Sequence, residues 1–528
     1  MGKTSILRLH SWPTDLRFSF LSSKLFGFLL PALALLAVTA VRLHRLLDVA
    51  LPDYDSVRNW QIVQEVAHGN LRNLFHHGSP AFSLVYAPVA CLTTDYHVYQ
   101  HLNAWLAVAA LAWLGQFVAV TLRLKAYETA LLLLFTGTSV FLTFSGRDFT
   151  MGSMSLLLFV GLVRAHYQRL YNPSRATLLT VAGWVALGLS VNYKFLLTLP
   201  VLLVLELVWG RGLLWRPATL VRVLLVLAAP YVVLGLVGAL GGLPWYRWPA
   251  VYYNLVFPGA SNAAGRVGHF RFDGLYYLRY LWNFESPLLL PVLASGLLLS
   301  LWQGWRKLKP THTVGLSAYL GVWVGCFLLG MSLLLKAPRG LLLVYPLFYV
   351  LAFLVVRWVL HGSRWAPIAT GSVLALLFLA ASGFNFIRIQ HEIYAYAPTN
   401  YEQLAQFLRK HAAGQPVRIA STISLGVQPF LAATDTLAVI TNEKQLPQWR
   451  TKHFDYVLLD AYYRVTNSPG FDSLRQQRPL VALPEPLLVS PLLFLEHSEY
   501  TGLSYQETLA LQQAARQDSV QLRLYRLR

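Results

Sequence analysis

Long apolar runs alternate with short polar loops along most of this chain. The loops themselves alternate, rich in Lys and Arg on one side and nearly free of them on the other. An apolar run of about 20 residues is long enough to cross a bilayer as a helix. The pattern predicts spans at 25–43, 101–122, 128–146, 149–166, 176–192, 195–210, 218–240, 286–303, 313–334, 340–357 and 366–387. The groups Arg123/Lys125, Arg164/Arg169/Arg175, Arg211/Arg216/Arg222, Arg306/Lys307/Lys309 and Arg357/Arg364 then fall on one side, the cytoplasmic one. Lys3, Arg8, Arg17 and Lys24 precede the first run, which makes residues 1–24 a cytoplasmic N-terminus. That run has no small-residue cleavage site and reads as an anchor. About eleven crossings leave everything after residue 388 outside.

One stretch breaks the parity. Residues 79–93 are apolar, but they are short and contain Pro80 and Pro88. A crossing there would move every later basic loop to the wrong side. We expect a re-entrant or interfacial segment on the outer face, next to an amphipathic helix over 54–67 lying on the membrane surface. A true short span with one mis-sided loop is the alternative. Two outer loops are long, at 44–100 and 241–285. The second carries Trp245, Tyr246, Trp248, Tyr252, Tyr253, Phe270, Phe272, Tyr276, Tyr277, Tyr280 and Trp282. These aromatics read either as an interfacial belt or as a wall that stacks on a sugar or lipid head group.

The pattern changes near residue 398. Tyr401 to His411 has helical spacing, and 417–421, 437–441 and 456–460 read as strands. Helix and strand alternating at this spacing predict a small, mainly parallel α/β domain over 398–528. Ser424-Leu-Gly-Val-Gln428 does not fit a Gly-rich phosphate loop, so a binding or lid role is expected. The whole is an α-helical polytopic membrane protein, with a transmembrane module over 25–397 and a C-terminal extracytoplasmic α/β domain.

Composition agrees and removes one partner class. The chain has 528 residues, 56% of them hydrophobic and 12% charged, with a formal net charge of +20. Up to Tyr396 there are 30 Lys/Arg against 12 Asp/Glu; beyond it, 13 against 11. The basic excess is therefore topological and does not imply nucleic acid. Cys91 and Cys326 lie in apolar segments, where no disulfide is expected.

Acidic residues collect on the basic-poor face, densest in Leu51-Pro-Asp-Tyr-Asp-Ser-Val-Arg-Asn-Trp60. Asp53 or Asp55, just outside the first span, could serve as a general base toward an acceptor hydroxyl or amine. The two could equally cap the following helix. Asp-Tyr-Asp also has the form of an oxygen clamp for a divalent cation, the one cofactor the sequence suggests. Arg147, Lys194, Lys336 and Arg339 are nearly the only cations at the outer ends of later spans. Charges there are costly and often functional. Arg339 could grip a phosphate bidentately, with Lys336 adding a point charge. His76 and His77 read as surface or acceptor-binding residues, or as a metal pair.

Several of these segments together resemble a known superfamily. Asp55-Ser-Val-Arg58-Asn-Trp60-Gln-Ile62 with Gly69 and the Ser79-Pro80 to Pro88 hairpin looks like the first outer loop of the GT-C membrane glycosyltransferases. These include protein O-mannosyltransferases and the aminoarabinose transferase of lipid A. Phe144-Ser-Gly-Arg147-Asp148 resembles their second-loop Arg/Asp position, and Lys336-Ala-Pro-Arg339 through Tyr345-Pro346 resembles their late Arg-Tyr motif. The usual Asp-Glu pair is absent. The resemblance implies a catalytic Asp55 or Asp53, and a substrate-binding set of Arg58, Arg147, Asp148, Lys194, Lys336, Arg339 and Tyr345. It implies a polyprenyl-phosphate-sugar donor and a glycan, lipid or protein acceptor, used at the outer face of the cytoplasmic membrane. A lipid or sugar transporter or flippase is the competing class. Transporters keep ionisable groups and broken helices near the midplane. Here the polar groups cluster at one face, with Glu206 the exception.

Overall fold

In the computed structural model, the described residues are 18–527 apart from 53, 211, 257–272, 307–314, 335, 363–366, 398, 423–424, 461–470 and 518–520. The basic residues Lys3, Arg8, Arg17, Arg211, Lys307, Lys309 and Arg364 therefore lie outside the described residues, as do Phe270, Phe272 and Asp53.

Each expected span coincides with helix. The transmembrane module runs α1 (Phe18–Leu43), α2 (Tyr54–Ala67), α3 (Pro80–Ala90), α4 (Tyr96–Leu122), α5 (Ala126–Gly137), α6 (Val140–Gly146), α7 (Gly152–Tyr171) and α8 (Arg175–Val191). It continues with α9 (Thr198–Trp209), α10 (Pro217–Leu240), α11 (Arg247–Val256), α12 (Tyr276–Phe284), α13 (Leu289–Arg306), α14 (Leu316–Ser332), α15 (Tyr345–His361) and α16 (Pro367–Glu392). Among the described residues, four helices are long and apolar enough to cross a membrane alone, and the α5–α6 pair makes a fifth. Helix length alone does not carry the expected count of eleven. The outward faces are apolar: Leu225, Val232 and Leu236 on α10 are 64%, 61% and 65% exposed. Such a surface suits lipid rather than water.

The expected span 128–146 is broken. α5 and α6 meet at a 68° bend. A break inside a membrane strands backbone groups that need partners. Here two charges from elsewhere close it. Arg42 of α1 donates from Nη1 to the Gly137 carbonyl at 2.6 Å, at the C-terminal end of α5. Glu285 sits at the N-terminal end of α6, accepting from Ser139 Oγ (3.1 Å) and from the amides of Val140 (3.0 Å) and Phe141 (3.1 Å). Each charge has the sign that its helix end favours. The break aims Phe144 to Asp148 at the outer loops.

Residues 54–67 form α2 as expected, but its apolar face is not offered to lipid. Val57, Ile62, Val63 and Val66 are buried against α3, α4 and the C-terminal part of the chain. Gly69 ends α2 at φ +78°, a left-handed position that favours glycine at a helix C-terminus. The aromatics of the second outer loop divide. Trp248, Tyr252, Tyr276, Tyr277 and Tyr280 are interior, whereas Trp245, Tyr246, Tyr253 and Trp282 are exposed. The loop therefore supplies both packed and outward-facing rings.

The C-terminal part opens on α17 (Tyr401–His411) and forms a five-stranded sheet: β1 (Arg418–Ser421), β2 (Thr436–Val439), β3 (Tyr456–Leu459), β4 (Val481–Pro484) and β5 (Gln521–Arg526). The order is β2-β1-β3-β5-β4. The three strands legible in the sequence are parallel, while β5 runs antiparallel to both β3 and β4. This unit is docked, not tethered. Tyr276 Oη meets Ser498 Oγ at 2.8 Å, Asn283 Nδ2 donates to Tyr505 Oη at 2.8 Å, and the Ala50 amide donates to Thr399 Oγ1 at 2.9 Å.

Candidate active site

Where the C-terminal part meets the first outer loop, a cavity of about 150 Å³ opens. Four segments furnish its polar wall: Asp55, His76 and His77; Ser145 and Asp148; Asn192 and Lys194; and Arg339. A short helix of the C-terminal part, Pro491–Glu496, closes it with Leu493, Glu496 and His497.

Local sequence places each group. Asp55 lies in the first turn of α2, where a carboxylate faces free amides and the positive end of the helix dipole. Its Oδ2 is 3.3 Å from Arg339 Nη1, and its Oδ1 is 3.9 Å from His77 Nδ1. Arg339 sits in a single turn, Pro338–Leu341, and its Nε is 3.9 Å from Glu496 Oε2. Arg339 thus bridges a carboxylate of the transmembrane module and one of the C-terminal part. Lys194 follows Asn192, whose Oδ1 accepts from the Lys194 amide at 3.0 Å. Lys194 Nζ then donates to the Arg339 carbonyl at 3.1 Å. Asp148 follows the broken helix, and its Oδ1 accepts from the Phe149 amide at 2.7 Å. Asn59 of α2 ties this turn to the first loop, donating to the Phe149 carbonyl at 3.3 Å.

His76 touches Tyr54 Oη through Nε2 at 3.3 Å. Burial, then the His77 imidazole, then Arg58 and Arg247, hold its pKa down at about 3. His497 is buried, and its Nδ1 hydrogen faces the Leu493 carbonyl at 2.9 Å.

Of the residues singled out in the sequence, the cavity gathers Asp55, His76, His77, Asp148, Lys194 and Arg339. Four others lie elsewhere. Arg58 turns along α2 toward Gln61 (3.0 Å) and Glu65 (3.3 Å). Arg147 is buried, donating from Nη1 to the carbonyls of Arg42 (2.7 Å) and His44 (2.6 Å), with its guanidinium over Tyr394. Lys336 donates to the Ser332 carbonyl at 2.7 Å and to that of Leu334, closing the end of α14; burial lowers its pKa, while Asp273 opposes the shift. Tyr345 is wholly buried and donates to Glu285 Oε1 at 2.9 Å, so it serves the helix break. Among the described residues, no group of three or more His, Cys, Asp or Glu is arranged to hold a metal ion, and Asp53 is not one of them.

Sequence reasoning missed Glu496 and His497. They stand some 440 residues from Asp55 in a region read only in general terms as binding or lid, and no local pattern marks them. Asn192 had a signal: with Tyr193 and Lys194 it interrupts two apolar runs.

Two solved structures share this architecture over most of both chains. The crystal structure of ArnT from Cupriavidus metallidurans bound to undecaprenyl phosphate matches with a TM-score of 0.53 over 87% of this chain and 95% of that one. The fold is that of ArnT. The apo form of ArnT from the same organism gives 0.54, over 88% and 96%, and identity is 14% in both cases. At that identity the ArnT likeness speaks for architecture alone. No protein-family model and no curated protein matches the chain.

Proposed function

We propose that this chain is a membrane glycosyltransferase that moves a sugar from a polyprenyl-phosphate donor to an acceptor at the outer face. It would lie in the cytoplasmic membrane with its N-terminus inside and its C-terminal domain outside. One observation carries the reading: a single cavity sets a helix-end carboxylate against an arginine and a lysine, and an outer domain closes it. The ArnT fold supports it, because a solved structure of that fold was bound to undecaprenyl phosphate.

The chemistry needs little more. Arg339 and Lys194 hold the donor phosphate, the guanidinium by two parallel bonds and the ammonium as a point charge. A phosphate competes with Asp55 for Arg339, so donor binding frees that carboxylate. The acceptor oxygen attacks the anomeric carbon, its proton passes to Asp55, and the sugar–phosphate bond breaks with its electron pair on the phosphate oxygen. Positioning and cation stabilisation of the leaving group supply most of the acceleration. Asp148 and Glu496 orient the sugar hydroxyls. The broken helix, a transporter hallmark, does not favour transport here. Both of its ends are filled by the protein's own charges, Arg42 and Glu285.

The deciding assay incubates the full-length protein with radiolabelled polyprenyl-phosphate sugars and separates the products by thin-layer chromatography. Release of sugar from at least one donor, abolished in Asp55→Asn, is expected. A panel of donors bound but never consumed would overturn the reading.

A further inference from the structure

Behind the active-site cavity lies a second, smaller one of about 40 Å³, between the transmembrane module and the C-terminal domain. Pro52, Phe144 and Asp148 line both. On its far side, Glu392 and Tyr396 line this small cavity and also a third one of about 510 Å³, with His391 and Arg516 at its rim. The three thus form a series, with Asp148 as one partition and Glu392 as the other.

The middle chamber is walled mostly by apolar surface, with a few deeply buried polar side chains at its edge. Gln100, Arg147 and Ser490 are 0%, 5% and 1% exposed. Among the described residues, neither amide atom of Gln100 has a hydrogen-bond partner, nor has Arg147 Nη2 or Ser490 Oγ. Unpaired polar atoms at such depth are costly, and natural proteins satisfy them. An anion is a poor occupant, because Asp148 and Glu392 oppose the one guanidinium. Water fits, since donors (Arg147, Ser490, the Gln100 amide nitrogen) and acceptors (the Gln100 oxygen, two carboxylates) both line the space. The volume suits roughly three molecules.

We propose that these chambers form a hydrated proton exit from the active site, running from Asp148 through the Gln100–Arg147–Ser490 chamber to Glu392 and the outer surface. The inference rests on the glycosyl-transfer reading. That reaction turns a phosphodiester into a phosphomonoester and frees one proton from the acceptor hydroxyl. With donor in front and the Pro491–Glu496 helix above, Asp55 needs a path by which to shed it. Asp55 passes the proton through water to Asp148, the chamber's water carries it on, and Glu392 releases it.

Hydration is tested without substrate. In full-length protein with Cys91→Ser and Cys326→Ser, Ser490→Cys should react with a small hydrophilic thiosulfonate about tenfold faster than Leu374→Cys, an equally buried site that lines none of the three chambers. Gln100→Cys gives the same reading from the opposite wall. Labelling of both at the core rate would overturn the passage. The relay is tested by Glu392→Ala, which should lower kcat about tenfold, leave donor KM unchanged, and regain turnover with added acetate. An unchanged kcat, or a loss that acetate does not restore, would overturn the relay. Failure of the unaltered protein to use any donor would sink the transferase reading instead, while the labelling still decides the passage.

Discussion

Among the carboxylates that stand at helix N-termini, Glu285 and Asp55 are held in opposite ways. Glu285, at α6, is fully buried and accepts five hydrogen bonds, from two amides, Ser139, Tyr345 and Tyr349. Asp55, at α2, keeps 28% of its side chain exposed and has ion-pair partners only at 3.3 Å and 3.9 Å. The same group at the same kind of place is structural when every lone pair is taken. On the proposed function it is reactive when its partners are loose and a cavity lies beside it. Saturation, more than position, separates the two.

The comparison breaks most visibly at Glu285. Glu285→Leu would strand two tyrosine hydroxyls, a serine and two amides, a loss on the order of 3–5 kcal/mol. The thermal midpoint of detergent-solubilised protein should fall sharply, and Glu285→Gln should recover part of the difference. A midpoint that did not move in Glu285→Leu would remove this carboxylate from the frame of the fold.

At Asp55 the reverse is expected. Asp55→Asn should cost about 10²–10⁴ in turnover with little change in thermal midpoint. If the variant loses stability and keeps its rate, Asp55 is a cap and Asp53 becomes the base to test. Turnover that survives a chelator would argue against an Asp-Tyr-Asp metal clamp.

Arg339 sharpens the contrast, because it is the partner that Asp55 must share. Arg339→Ala should raise donor KM, and Arg339→Lys should leave it about tenfold above the unaltered protein, since an ammonium lacks the bidentate fork. Equal donor KM in all three would place the phosphate elsewhere.

The smallest effect lies at His76. Its folded-state pKa of about 3 is below that of a solvated imidazole, so the unfolded chain takes up the proton first. This penalty is absent above pH 7 and grows as pH falls from about 6.5 toward 3. His76 is exposed, so solvent screening keeps the penalty below about 1 kcal/mol at pH 5. Comparing thermal midpoints at pH 7.5 and 5, His76→Gln should be less acid-sensitive than the unaltered protein. Identical slopes would mean that His76 titrates normally.

Most helices were legible in the chain, though not their exact ends or the break within 128–146, because apolar run length and loop charge are local, additive signals. So were α17 and the three parallel strands, each a short apolar segment bounded by turns. The Asp55 and Arg339 neighbourhoods could be named from residue type at a span's end. Local pattern could not say which cations converge. Lys194 and Arg339 reach the cavity, whereas Lys336 folds back on α14 and Arg147 turns to the carbonyls of α1's end. Those choices depend on turns of one or two residues, which hydropathy does not encode. Nor could the sequence show that Tyr345 serves Glu285, or that Glu496 closes a site begun at Asp55. Such pairings join residues hundreds of positions apart. They exist only once packing has fixed the break between α5 and α6 and seated the C-terminal domain on the outer loops. The chain by itself determined a series of apolar helices, an acidic loop after the first of them, and an α/β end. The tertiary structure decided which of its charges are saturated and which sit loosely paired beside a cavity, because saturation is a property of neighbours in space.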